Sequence, residues 1–184
     1  MLLLPVWGAN RKHVAFTSFP EDGWTLASHV SIDDECASPQ LVEALRTINE
    51  PLQSLRSLHC ANMEDALQEA VISLMRFTPQ LRALEFCVLS ENLRSAFASA
   101  IRSTPLLQQI TIGFDGGSEL AQDVFAALRT LSLVCLSIGV FSCTPDDARS
   151  TIGLLALQKQ TLQTLELYVD DRENLKYFCA NLGS

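Results

Sequence analysis

The sequence predicts an α/β solenoid in which one strand and one helix repeat along the chain. The strands are expected to form a parallel sheet on the concave side, with the helices on the convex side. Two observations predict this fold class. The pattern L-x-x-Φ-x-Φ, in which Φ is an apolar residue or cysteine, occurs five times. Between its copies, apolar residues recur at the spacing of one helix face.

The copies of the pattern follow a nearly constant period. The first three intervals between copies are 26 residues and the last is 29, as the positions Leu55, Leu81, Leu107, Leu133 and Leu162 show. One short strand and one helix cannot bury their apolar faces alone, so a fixed period of this length is typical of stacked repeats. Side chains alternate along a strand, so the Φ residues are predicted to point inwards and the residues between them outwards.

The segments between the copies each carry one apolar stripe. Leu41 and Leu45 precede the first copy, and Leu67 and Val71 precede the second, each pair at helical spacing. Proline two residues before the second and third copies ends the preceding helix. An ordinary doubly wound α/β domain is the alternative, because it also alternates strands with helices. Its strands tend to be longer apolar runs, however, and its spacing is seldom constant.

The period also predicts how the chain is divided. The N-terminal residues lack the period and are expected to form a strand or hairpin that caps the stack. The extra residues of the longest interval are expected in FSCTPDD, before a helix that begins near Asp146. A last apolar stripe with Leu175, Phe178 and Leu182 is expected to face the preceding repeat. The predicted units are a cap (1–23), an atypical first repeat (24–54), regular repeats (55–80, 81–106, 107–132 and 133–161) and a terminal unit (162–184).

These residues resemble a leucine-rich repeat protein, and specifically the long helical repeats of the ribonuclease-inhibitor-like group. FASAIRSTPLLQQITI (97–112) resembles that group's helix, turn and next strand, and ALQEAVISLMRFTPQLRALEF (66–86) matches it too. The resemblance covers about residues 40 to 182 and implies a right-handed horseshoe segment that binds a partner on its concave face. The family usually carries Asn or Cys a few residues after each strand. Met63 and Leu89 stand there in this chain, so we expect irregular turns.

Composition excludes some partners. The chain has 13 basic and 21 acidic residues, a net charge of −8, which disfavours binding to nucleic acid or to an anionic membrane surface. MLLLPVWGANRKH lacks the features of a signal peptide, and no run approaches the ~18 apolar residues of a membrane span. The six cysteines form no C-x-x-C pair and no zinc-site spacing. We therefore expect reduced thiols in a cytoplasmic protein, either monomeric or part of a larger complex.

Motifs for catalysis are weak in this sequence. GFDGG has the glycines of a phosphate loop but lacks the Lys-Ser or Lys-Thr that would follow. The acidic pairs in DDEC and DDRE precede predicted helices, where carboxylates favour the helix dipole, and they lack the ligand count of a calcium loop. His59 and Cys87 could approach each other as a nucleophile pair. The favoured interpretation is a protein without catalytic residues, cofactor or metal.

The outward strand positions are the predicted binding surface. We expect a non-catalytic module that binds a protein partner there, as the substrate-recognition or scaffold part of a larger assembly. The alternative is a regulatory protein, of a GTPase-activating or other enzymatic kind, built on the same scaffold. That class would need a projecting arginine or an added catalytic segment. The residues predicted to contact the partner are His59, Glu85, Cys87, Gln109, Thr111, Ser137, Glu166 and Tyr168.

Overall fold

The computed structural model describes residues 27–33, 38–114, 121–140, 145–169 and 176. Over these ranges, strands and helices alternate along the chain. A 3-10 turn, Glu91–Leu93, leads into the third helix. The strands are β1 (His29–Ile32), β2 (Ser57–Cys60), β3 (Ala83–Leu89), β4 (Gln109–Phe114), β5 (Cys135–Val140) and β6 (Thr164–Val169). The α-helices are α1 (Pro39–Thr47), α2 (Asp65–Met75), α3 (Arg94–Arg102), α4 (Ala121–Leu128) and α5 (Pro145–Gln158).

The six strands form one all-parallel sheet in the order of the sequence. Paired residues in its centre stand one period apart: Ser57 pairs with Ala83, Ala83 with Gln109, and Gln109 with Cys135. A doubly wound sheet reverses its strand order at a switch point. The described sheet has no such reversal, because each strand lies beside its sequence neighbours.

One face of the sheet packs against the helices and forms a continuous core. The apolar positions of the first four L-x-x-Φ-x-Φ copies are all buried, with at most 2% of any side chain exposed. The predicted helix stripes are buried too, including Leu45 of α1 and Val71 of α2. Phe86 of β3 meets Phe97 of α3 edge to face, with ring centroids 5.1 Å apart. The predicted inward positions of these four strands are therefore confirmed.

The fifth copy of the pattern departs from this prediction. Leu165 of β6 has the register of a core residue but is 38% exposed, and Leu162 and Leu167 are only partly buried. Among the described elements, β6 has a neighbouring strand on one side only. β1, at the opposite edge of the described sheet, keeps Val30 and Ile32 buried, so the edge position alone does not account for the exposure of Leu165.

Helix boundaries follow local capping signals. Ser38 precedes α1, and its hydroxyl accepts a hydrogen bond from the backbone N–H of Leu41 at 3.1 Å. Pro39 then occupies the first turn, where its missing N–H costs little. The helix predicted near Asp146 begins at Pro145. The predicted N-terminal cap, residues 141–144 of FSCTPDD and the terminal stripe lie outside the described residues.

Threonine ends three successive helices at the same point of the period. Each hydroxyl donates to the carbonyl oxygen three residues earlier, in the last turn of its helix. Each bond satisfies part of the acceptor capacity that a helix leaves open at its C-terminus. The pairs are Thr78 with Met75 (2.8 Å), Thr104 with Ile101 (2.8 Å) and Thr130 with Ala127 (2.7 Å).

Buried glutamines connect neighbouring repeats. The side chain of Gln68 is 3% exposed, and its amide donates to the carbonyl of Met63 at 2.8 Å. Its carbonyl accepts from the N–H of Ser90, in the next repeat, at 3.1 Å. Met63 and Leu89 are themselves buried, so apolar packing and a glutamine occupy the region where the resembled family carries its Asn ladder.

Candidate functional site

The candidate site is the open face of the sheet, which we define as the strand side chains that alternate with the core residues. On β2 the core residues Leu58 and Cys60 are buried, whereas Ser57 and His59, which alternate with them, remain partly exposed. The same alternation places Glu85 on the open face of β3. The open face is accessible because the helices pack against the opposite side of the strands.

A groove with a volume of about 350 Å³ crosses the open face. It follows one row of paired positions over five strands, and His29, Ser57, Ala83, Gln109 and Cys135 contribute to its lining. Neighbouring strands lie about 4.8 Å apart, so five strands give the groove a length of roughly 19 Å. Ser57, Ala83 and Cys135 in this row have small side chains.

His59 and Glu85 form an ion pair in the wall of the groove. The two residues are register partners on β2 and β3, and Nδ1 of His59 lies 2.8 Å from Oε2 of Glu85. The hydrogen bond to Glu85 raises the pKa of His59 above its ordinary value, although partial burial opposes this change. Asp33, at the end of β1, adds a smaller contribution in the same direction. The pair therefore stabilises the fold in acid, and this contribution disappears as pH rises through the folded-state pKa of His59.

The cysteines near the open face are not activated. Burial is the main cause that raises the pKa of Cys87, and the charge of Glu85 adds to it. Burial, followed by the charge of Glu166, does the same for Cys135. A nucleophilic cysteine needs a lowered pKa. The raised pKa of the Cys87 thiol thus disfavours the nucleophile pair of His59 and Cys87.

The central strands carry three of the predicted contact residues. Gln109 is exposed at the start of β4, and Thr111 is half-buried two positions later. Ser137 on β5 is the exception, because only 3% of it is exposed. It has the predicted register, between Thr111 on one side and Glu166 on the other. Its burial leaves little of its surface for contact with a partner.

The last two predicted residues lie together on β6. Glu166 is exposed and Tyr168 is 53% exposed, and the Tyr168 hydroxyl donates to Oε2 of Glu166 at 3.4 Å. The predicted residues thus fall into two groups. His59, Glu85 and Cys87 are close on β2 and β3, whereas Glu166 and Tyr168 lie at the other end of the sheet.

Sequence reasoning omitted three residues at this site. His29 and Ser31 extend the open face on β1, and both line the groove. Asp33 follows β1 and contributes to the raised pKa of His59. A signal for the first two was present, because they alternate with the apolar residues Val30 and Ile32. The first repeat lacks the L-x-x-Φ-x-Φ pattern, so that pattern does not identify its outward positions.

The described part of the chain contains neither a metal-ligand cluster nor a membrane-spanning helix. None of its His, Cys, Asp and Glu side chains cluster in threes or more as a metal site requires. None of its helices has the length and hydropathy needed to cross a bilayer.

Comparison with solved structures shows a likeness in fold. No protein-family model and no curated protein sequence matches the chain. Among solved structures, it is similar to a chain titled "Leiomodin-1 Actin-Binding Site 2 (ABS2)", with a TM-score of 0.53 and 13% sequence identity. The match covers 72% of this chain and 81% of that chain. At this level of identity, the likeness concerns the fold alone.

Proposed function

We propose that this chain is a leucine-rich repeat solenoid of the ribonuclease-inhibitor-like kind that binds a protein partner through its open face. It acts as a non-catalytic substrate-recognition or scaffold part of a larger assembly. The sequential parallel sheet and the constant period of its paired residues support the solenoid. Stacked repeats present their strands as one extended surface, which suits recognition of another protein.

The observation that carries the proposal is the accessible open face with its groove. Buried residues on one side of each strand explain the fold, but they do not explain the polar side chains on the other side. These polar side chains include a charged pair, His59 and Glu85, and exposed groups such as Gln109 and Tyr168. A surface with polar groups around a continuous groove offers both shape and hydrogen-bonding specificity to a partner.

The structural neighbour supports a protein-binding role. Its title names an actin-binding site, so that chain uses a similar fold to bind another protein. Actin is therefore the first purified protein to test against this chain, by co-sedimentation with filaments. The proposal itself concerns a protein partner on the open face, whichever protein that is.

The site chemistry supports a non-catalytic role and a cytoplasmic location. Cys60, Cys87 and Cys135 are free thiols, as expected in a reducing compartment. Burial raises the pKa of all three, which keeps them protonated at neutral pH. The imidazole of His59 is hydrogen-bonded to the Glu85 carboxylate. These groups recognise a partner better than they activate a substrate.

Two bulky variants test the proposed surface. Thr111→Trp places a large side chain at the centre of the open face, and Ser99→Trp places the same side chain on the exposed surface of α3. Wild type and both variants are immobilised, and the proteins that each retains from a cell lysate are quantified by mass spectrometry. We expect a set of proteins that binds wild type and Ser99→Trp but not Thr111→Trp.

Equal retention by all three proteins would contradict the proposal, and so would loss of partners with Ser99→Trp alone. Melting temperatures of the two variants serve as the control for folding. Neither position is buried, so we expect both variants to remain folded.

A further inference from the structure

The open face is acidic. In the described strands, its outward positions include Glu85 and Glu166 but no lysine or arginine. Arg56 stands just before β2, where its guanidinium donates to the backbone carbonyl of Gln53 at 2.6 Å. Arg82 stands at the equivalent position just before β3, also outside the outward strand positions. The carboxylates of the face therefore meet no fixed arginine or lysine on the strands.

The pKa values of neighbouring titratable groups reflect the charge of these carboxylates. Glu85 contributes to the raised pKa of His59 and of Cys87, which lie on two adjacent strands. Glu166 contributes to the raised pKa of Cys135. Glu85 and Glu166 thus place negative charge near β2, β3 and β5, which favours a cation beside each carboxylate.

The shape of the groove limits its occupant. Its volume of about 350 Å³ is at the low end of the ~300–1,000 Å³ of ligand pockets, yet it extends over roughly 19 Å. It is therefore long and narrow. An extended chain advances ~3.3 Å per residue, so about six residues of a peptide span it.

We propose that the groove takes an extended segment of the protein partner, in which a lysine or arginine replaces His59 as the ion-pair partner of Glu85. This inference rests on the proposed function and specifies its ligand. Glu85 is suited to the exchange because it is 44% exposed and only its Oε2 is engaged by His59. Its Oε1 makes no hydrogen bond within the described part of the chain. The small side chains of Ser57 and Ala83 leave room for an incoming side chain beside it.

Selection of peptides tests the exchange directly. A phage library of random short peptides is selected in parallel on wild type, on Glu85→Gln and on Glu43→Gln. Both substitutions remove one negative charge, but Glu43 is exposed on α1, away from the open face. We expect peptides that bind wild type and Glu43→Gln but bind Glu85→Gln roughly fivefold more weakly, as for a strong exposed ion pair. These peptides should carry lysine or arginine.

The inference is wrong if no peptide depends on Glu85, or if the dependent peptides lack lysine and arginine. Equal weakening by Glu43→Gln would also contradict it, because the effect would then reflect net charge. None of these outcomes alters the result with Thr111→Trp. If Thr111→Trp loses a partner, the open face is a binding surface even when that partner has no basic segment.

The pH dependence separates exchange from simple attraction. Protonated His59 neutralises Glu85 and repels an incoming cation, so binding of a selected peptide should strengthen from about pH 6 to about pH 8. Asp33 from the end of β1 and Cys87 from β3 also face this pair, and His29 lies in the same groove. His59→Gln leaves these groups in place and should flatten the profile. An unchanged profile in His59→Gln would overturn the exchange.

Discussion

Threonine hydroxyls at helix ends show how single residues are placed by the period. Thr78, Thr104 and Thr130 stand at the same point of successive repeats and make the same hydrogen bond. The sequence contains this signal, because the three threonines recur at the interval of the leucine pattern. The pattern alone does not distinguish a capping threonine from a surface threonine. The bond becomes evident only when the helix end is located.

Thr104→Val is expected to lower the free energy of unfolding by about 1 kcal/mol. It removes a buried hydroxyl whose bond to the Ile101 carbonyl water cannot replace. Thr47→Val is the matched control, because Thr47 makes the same bond to Ala44 at an exposed site. Urea denaturation should show a smaller loss for Thr47→Val, since water can satisfy that carbonyl. Equal losses would mean that burial of the hydroxyl is unimportant.

At the scale of the elements, glutamines hold the loops that join helices to strands. Gln158, at the end of α5, is 3% exposed and binds the segment that leads into β5. Its Oε1 accepts from the N–H of Leu133 at 3.1 Å. Its Nε2 donates to the carbonyls of Leu131 at 2.8 Å and Leu128 at 3.3 Å. One side chain thus satisfies backbone groups that would otherwise be buried without partners.

Gln158→Met should lower the free energy of unfolding by about 2–4 kcal/mol. Methionine fills a similar volume but leaves a buried N–H and two carbonyls without these bonds. The control is Gln160→Met, two residues later at an exposed position, which should change stability by about 0.5 kcal/mol or less. Thermal unfolding of both variants measures the difference. A small effect of Gln158→Met would show that the loop needs no such connection.

The alternation of residues predicts the faces of the elements but not their exposure. The inward and outward positions of β2 to β5 follow from the leucine pattern, because side-chain direction is a property of the strand itself. Ser137 and Leu165 have the predicted directions, yet one is buried and the other exposed. Their exposure depends on the size and number of neighbours in adjacent strands. The sequence of one repeat does not contain that information.

At the scale of the whole molecule, register partners on neighbouring strands differ in how deeply they are buried. Leu136 of β5 and Leu165 of β6 are register partners, but Leu136 is fully buried and Leu165 is 38% exposed. Leu136→Ala should therefore lower the free energy of unfolding by about 2–5 kcal/mol. Leu165→Ala should cost clearly less, since it removes less buried contact. Chemical denaturation of the pair tests this, and equal losses would imply that β6 is covered as fully as β5.

The period predicted the order of the strands, and through it which residues meet on the open face. His59 and Glu85 are one period apart, so their positions in neighbouring strands could be predicted. Their ion pair could not, because it depends on how two flexible side chains are oriented. The groove is formed by five strands together, so it can be recognised only once the strands are placed in register.

Site-specific photo-crosslinking tests most directly whether a partner occupies the open face. A benzophenone side chain is introduced at Gln109, which is exposed on the open face, or at Ser99, which is exposed on α3. After irradiation in cells, protein adducts should form from position 109 and be absent from position 99. Adducts from position 99 alone, or from neither position, would contradict the central claim that this sheet binds a protein.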